Sequence, residues 1–383
     1  MLVAQTLEAD VPELAVRDIL AQLALPHRLK RNSAAIILCH NAFIESGAAR
    51  AVCERLPFTA AGVNTFLNAS SSGCEDAILM TVCVLTSDRC VFAAGLSEPM
   101  DNEVEGPAAR LYVGAENLLA RRPAMALLFA PLLRSLPAGE FLTAALDSAS
   151  DGVPIFGTVA ADYTTNVRSP RVIFDGEAYP DRAALILIEG PIEPQFAVEP
   201  VSLANSVPHK AIVTGAAGDI VTEVNGIPAL DFLESLGLAQ DGHITGVHTI
   251  PVSIDTGDGE PPVVRAIVAQ GPGGSIVMGG TVPAGALMGI GAMDKAHILA
   301  GMRRISLRQG LSPSSPLLVY SCITRNIVLG FDYTLEADAL REGLRGGGPF
   351  AFAYSLGEIC PVPLSGGRWR NAFHNMTLVA ASL

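Results

Sequence analysis

The sequence predicts a mixed α/β fold, in the α+β sense: two sheet-plus-helix domains packed together, for which a layered α-β-β-α sandwich is one available arrangement. Three observations carry this reading. At 383 residues the chain exceeds one ordinary core. Half of the residues are apolar and only 16% are charged, which supplies a large interior and excludes a disordered chain. Short apolar runs of strand length alternate with longer segments of helical period.

Leu14–Leu25 carries apolar residues at helical spacing and runs into Pro26, which predicts a first amphipathic helix. Ala34–Cys39 is a continuous apolar run and reads as a buried strand. Ala77–Leu85 and Val91–Ala94, separated by Thr86-Ser-Asp-Arg-Cys90, predict a hairpin. Helices follow at Ala108–Ala120 and Glu140–Ser148, with a buried strand at Ala124–Phe129 between them. Pro154–Thr158, Val172–Phe174 and Ala183–Ile188 are strands, and Asp175-Gly176 and Pro180-Asp181 supply turns. Pro191, Pro194, Pro200 and Pro208 then fall within eighteen residues, and repeated proline blocks both helix and central strand. A domain boundary is placed near residue 205, giving a helical lead-in over 1–32, a first domain over 33–205 and a second over 206–383.

The second half restarts with strands at Ala211–Thr214 and Ile220–Val224 and the hairpin turn Asn225-Gly226. A short helix at Ala229–Leu236 and a polar loop over 252–262 follow. Strands at Val263–Ala269 and Ser275–Met278 are joined by Gly271-Pro-Gly-Gly274. Met293–Gly310 is the longest helix. Leu317–Cys322 is a buried strand, and Glu336–Leu344 a helix closed by Gly346-Gly347-Gly348. Phe350–Tyr354 and Thr377–Ala381 complete the sheet. The halves are alike in kind but show no fixed-period repeat, which excludes a solenoid.

Lys plus Arg number 25 and Asp plus Glu 38, a net charge of −13. Such a surface repels phosphate backbones, and with no basic stripe it excludes a nucleic-acid partner. No apolar run approaches the ~20 residues of a spanning helix. Met1–Asp10 lacks the basic start and apolar block of a secretory signal, so a cytoplasmic location is expected. The seven cysteines include no CxxC pair and suggest neither a zinc module nor a disulfide framework.

Gly289-Ile-Gly-Ala-Met-Asp294 leads into the longest helix as a phosphate cradle would. The third glycine of GxGxxG is missing, and Asp294 reads better as a helix cap. Asp255, Asp258 and Glu260 share one loop without EF-hand spacing. His243 and His248 are five apart, not the helical four of HExxH, so no metal site is expected. Neither GxSxG nor GKS/T occurs, and no catalytic residue is assigned. The stronger signals lie near the end. Tyr320-Ser-Cys322-Ile-Thr-Arg325 closes a buried strand with a thiol and a guanidinium that can clamp a carboxylate or phosphate. Glu358 follows the aromatic strand and can pair with Arg325 or bind an amine; a purely structural Arg–Glu pair is the other reading. His374 and Asn375 close the same mouth.

These residues carry a family resemblance. Phe350-Ala-Phe-Ala-Tyr-Ser-Leu-Gly-Glu-Ile-Cys-Pro361, followed by Phe373-His-Asn-Met-Thr-Leu378, is similar to the end of the FIST C-terminal domain. Ser321-Cys-Ile-Thr-Arg325 resembles its Ser-Cys-x-x-Arg element, and Val221–Ala229 resembles its opening. Val153–Asp162 and Val172–Gly176 look like the FIST N-terminal domain, although Gly62–Asn68 replaces its Gly-Glu-Ile turn and its double glycine is reduced to Gly157. The resemblance spans roughly residues 33–383. It implies an intracellular sensory protein that binds a small molecule, amino-acid-like or acidic, and signals to a separate partner such as a histidine kinase. The ligand-binding candidates are then Arg325, Glu358, Cys322, Asn375, Gly357 and Asp162, with no cofactor predicted. Some members are haem-binding nitric-oxide sensors, which makes haem the alternative. A haem needs an axial His, Cys or Tyr, and His40, His374, His209 and Cys360 are the candidates. A second alternative is an unrecognised enzyme using Cys322, for which Arg325 supplies a cationic setting but no base.

Overall fold

The computed structural model describes every residue except 74–75, 102, 134–137, 163–168, 201–206, 258, 260–261, 308–314, 333, 345–346 and 364–368. Strand pairing organises it around three sheets of one design. The first orders Leu2–Thr6, Met80–Ser87, Asn32–Cys39 and Ala60–Asn64. The second orders Val91–Leu96, Ala184–Glu189, Met125–Ala130 and Ile155–Val159. The third orders Gln195–Glu199, Leu378–Ser382, Leu317–Cys322 and Phe350–Ser355. In chain order each unit runs first, fourth, second, third. Its second and third strands are parallel and its fourth is antiparallel to both neighbours. Parallel neighbours require a crossover, and helices supply it in all three units.

The units are tied into a ring. Between its third and fourth strands, each unit sends a strand onto a neighbour's third strand. Asn68–Ser70 joins Phe350–Ser355, Val172–Phe174 joins Ala60–Asn64, and Glu358–Pro363 joins Ile155–Val159. In the third unit, the connection from first to second strand carries an extra sheet between Val207 and Ile290. Val207–Ala217 pairs there with both Leu287–Ile290 and Ile220–Val224, which closes six strands around a separate core.

Alternation of side chains along each strand gives every sheet two buried faces. Ile36, Leu38 and Val63 from the first sheet meet Leu127, Phe129 and Ile186 from the second and Leu318, Tyr320 and Val379 from the third in one core. Helices cover the opposite faces. Pro12–Leu23 and Ala48–Cys53 lie on the first sheet, Glu105–Glu116 and Ala138–Ser150 on the second, and Lys295–Leu307 and Leu335–Leu344 on the third. Burial on both faces is why the strands read as unbroken apolar runs. Three helix-backed sheets thus wall one core.

The turn signals act as written: Asp175-Gly176 and Asn225-Gly226 have positive φ at both positions, 47° and 90°, 54° and 78°. Asp294 caps its helix, with Oδ1 accepting the His297 N–H at 2.9 Å. Two elements differ from expectation. Met80–Ser87 and Val91–Leu96 are not a hairpin, because the first pairs within the first sheet and the second with Ala184–Glu189. The intervening turn carries the chain from one sheet to the next, and local pattern cannot distinguish that from a hairpin. Within the expected polar loop, Pro251–Asp255 is a central strand of the inserted sheet with Val252 and Ile254 buried. Asp258, Glu260, Arg308, Gly346 and the boundary near 205 lie outside the described residues. Among the described residues no helix is long and apolar enough to cross a membrane.

Candidate functional site

The parallel strand pairs of the second and third units end side by side, and the inserted sheet lies over them. Between them is a cavity of about 410 Å³. Its floor is the strand ends Pro131–Leu133, Val159, Cys322–Thr324 and Leu356; Phe373 and Asn375 form a wall. Its roof comes from the insert: Asp219, His248, Ala266, Val268 and Val277–Gly279. The carboxyl ends of parallel strands are where open α/β sheets leave a crevice for ligands. The volume and largely apolar lining suit a small molecule.

Local sequence explains how the wall is built. A Cβ on Gly139 would lie 2.2 Å from the Phe373 ring, and one on Gly357 2.4 Å from it. Both glycines are therefore spaces for that ring, and Gly357 acts on the cavity through Phe373. Asn375 follows in a tight turn whose next residue, Met376, is fully buried with φ of 56°. A left-handed non-glycine is a strained choice that surrounding contacts must hold. Here Thr377 Oγ1 donates to the Asn375 carbonyl at 2.6 Å, and the Cys322 N–H donates to the Thr377 carbonyl at 3.0 Å. The turn leaves the Asn375 side chain 4% exposed on the cavity wall, with no hydrogen-bond partner for Oδ1.

Beneath the floor lie the charged residues expected to form the mouth. Arg325 and Glu358 are not a pair. Arg325 is 2% exposed, and its Nε and one terminal nitrogen donate to Glu336 Oε1 at 3.1 and 2.8 Å. The same terminal nitrogen reaches the Ile298 carbonyl at 3.1 Å, and Ser321 Oγ donates to Glu336 Oε2 at 2.9 Å. The guanidinium is thus committed to a buried structural pair and does not line the cavity. Glu358 is fully buried, with Oε1 accepting from Ser355 Oγ at 2.6 Å. Burial pushes its carboxyl well above the ordinary range, against smaller lowering by the Ser355 hydroxyl, the Thr377 amide and the Arg325 charge. Cys322 does reach the cavity, but burial first, and the Glu358 charge second, push its thiol up to about 12. A thiol so protonated is not an activated nucleophile.

The remaining candidates do not converge. Asp162 is 7% exposed just past Ile155–Val159, where its charge acts on His40. His40 follows Asn32–Cys39, and its Nδ1 accepts the Ala42 N–H at 3.1 Å. Burial lowers its pKa, with Asp162 and Glu45 opposing. His374 Nε2 lies 3.1 Å from the Cys360 carbonyl, and burial lowers its imidazole to about 4. The Cys360 side chain belongs to the three-sheet core, and that of His209 lies outside the described residues. His40, His374 and Cys360 line neither the 410 Å³ cavity nor two others of about 370 Å³ each. Among the described residues no group of three or more His, Cys, Asp or Glu could hold a metal ion.

A second joint holds the insert in place. Arg265, 3% exposed on Val263–Gln270, donates to Glu140 Oε1 at 2.9 Å and to the Phe373 carbonyl at 3.2 Å. Glu140 Oε2 accepts the Thr281 N–H at 2.6 Å. Sequence reasoning missed this joint, the roof of the cavity and Glu336. Their partners lie up to 141 residues apart in sequence, and no local pattern marks them.

Residues 33–227 match the FIST N domain, and residues 227–361 match the FIST C domain. The chain belongs to the FIST family, whose domains are associated with sensory and signal-transduction roles and with binding small ligands. No curated protein matches it. Among solved structures it is similar to a crystal structure of cyanuic acid hydrolase from A. caulinodans. The two are 8% identical over 99% of this chain and 97% of that chain, with a TM-score of 0.37, a likeness too distant to define chemistry here.

Proposed function

We propose that this protein is a small-ligand sensor whose ligand occupies the cavity between the inserted sheet and the strand ends of the second and third units. A separate signalling protein, such as a histidine kinase, reads the resulting position of the insert. The observation that supports this most is that the cavity lies between the inserted sheet, which has a core of its own and contributes Val268 and Met278, and the main body, which contributes Cys322 and Phe373. A ligand touching both bodies has a differential affinity for their docked and undocked arrangements, which is what a shift of population requires. Val268→Trp fills the cavity from the roof and tests the reading. Native mass spectrometry after incubation with a small-molecule extract of the host should show an adduct on the wild type and none on Val268→Trp. An adduct kept by the variant, or none on either protein, would count against the cavity.

A further inference from the structure

The lining of the cavity also selects a ligand class, an inference that rests on the reading just proposed. Asn375 is 4% exposed, and neither end of its side-chain amide is hydrogen-bonded among the described residues. Of the other buried asparagines, Asn326 pairs its Nδ2 alone, while Asn371 and Asn68 use both ends. Asn371 Oδ1 accepts the Ile155 N–H at 2.7 Å while Nδ2 donates to Asp147 Oδ1 at 2.7 Å and the Val153 carbonyl at 2.9 Å. Asn68 Oδ1 accepts from Thr81 at 2.7 Å and Nδ2 donates to the Leu79 carbonyl at 3.0 Å. An idle buried amide is destabilising, and in a native protein it calls for an explanation. Asn375 lines the cavity, and its Oδ1 lies against Gly279, where a Cβ would come to 2.7 Å from it.

The charge of the lining narrows the answer. Among the described residues no Lys or Arg lines the cavity, whereas Asp219 does. Desolvation lowers the pKa of His248, an exposed residue of the lining. A carboxylate would find no cation among the described lining residues and would face Asp219. We infer that the cavity takes a neutral small molecule with an apolar body and a carboxamide-type edge, whose N–H and C=O pair with the two ends of the Asn375 amide. The acidic ligand expected on the strength of Arg325 loses its anchor, since that guanidinium is bound to Glu336.

Benzamide, benzylamine and benzoate share one ring and differ only in carrying a neutral amide, an ammonium or a carboxylate. Titrated by calorimetry, wild-type protein should bind benzamide best and benzoate least. Asn375→Leu should weaken benzamide at least tenfold while melting no lower than wild type, because an unsatisfied amide is replaced by an apolar group of similar shape. Gly279→Ala, which crowds Oδ1 without removing it, should weaken benzamide as well. Tighter binding of benzoate or benzylamine, or an unchanged benzamide affinity in Asn375→Leu, would overturn the ligand class. If Val268→Trp abolishes that other binding, the cavity assignment survives. Binding indifferent to Val268→Trp, or none by any of the three, would remove the cavity reading and this inference together.

Discussion

Two carboxyl groups, Glu336 and Glu358, are fully buried near one another's partners and hold opposite roles. Glu336 receives three donors from Arg325 and Ser321, which supports its charge. Glu358 has the Ser355 hydroxyl and the Thr377 amide beside it, yet burial raises its pKa well above the usual range. The consequence for stability follows from linkage. Below the ordinary glutamate range both folded and unfolded forms are protonated, and stability is at its full value. As pH rises, the unfolded form ionises while the folded one resists, so stability declines until the raised folded pKa is passed. Glu358→Gln lacks this penalty and should gain on wild type between pH 5 and pH 8 in urea unfolding. An equal offset at both pH values would rule out a neutral Glu358. The sequence made Cys322, Arg325, Glu358 and Asn375 visible as polar residues interrupting apolar strands. It could not say which were neighbours, because the partner of Arg325 sits on another helix.

At the scale of elements, the hairpin Glu358–Pro363 and Trp369–His374 works as a strap. It crosses from the third unit to pair with Ile155–Val159, and its Phe373 ring sits between Gly139 and Gly357 on the cavity wall. Gly357→Ala places a Cβ 2.4 Å from that ring, an overpacking expected to cost about 1–3 kcal/mol. Phe373→Leu in the same chain should recover part of the loss, since the smaller side chain vacates the contested space. A double-mutant cycle in urea measures the coupling, and simple additivity would show that the two residues do not compete. The Gly-Glu-Ile and His-Asn-Met-Thr segments were legible as motifs. Their meaning as one wall was not, since strand partners depend on register across the whole third unit.

For the whole molecule, the question is how occupancy of the cavity reaches a partner. The inserted sheet has its own core and is latched to the second unit by Arg265, Glu140 and the Thr281 N–H. Removing one member of a buried ion pair leaves the other uncompensated, so Glu140→Ala should cost on the order of 3 kcal/mol. Hydrogen exchange should then quicken over 263–281 and stay unchanged over Asn32–Cys39 in the first sheet. Uniform quickening would mean that the latch serves global stability alone. The three-unit ring was hidden from sequence reading because its likeness lies in strand order and connection, and an 84-residue insertion from Val207 to Ile290 interrupts the third unit. The sequence by itself determined the fold class, most helices and strands, the Asp175-Gly176 and Asn225-Gly226 turns and the family, because these follow from local periodicity, turn chemistry and contiguous motifs. Only the tertiary structure decided which sheet each strand joins, that Arg325 belongs to Glu336, and that Asn375 lines a cavity, because those depend on contacts between residues far apart along the chain.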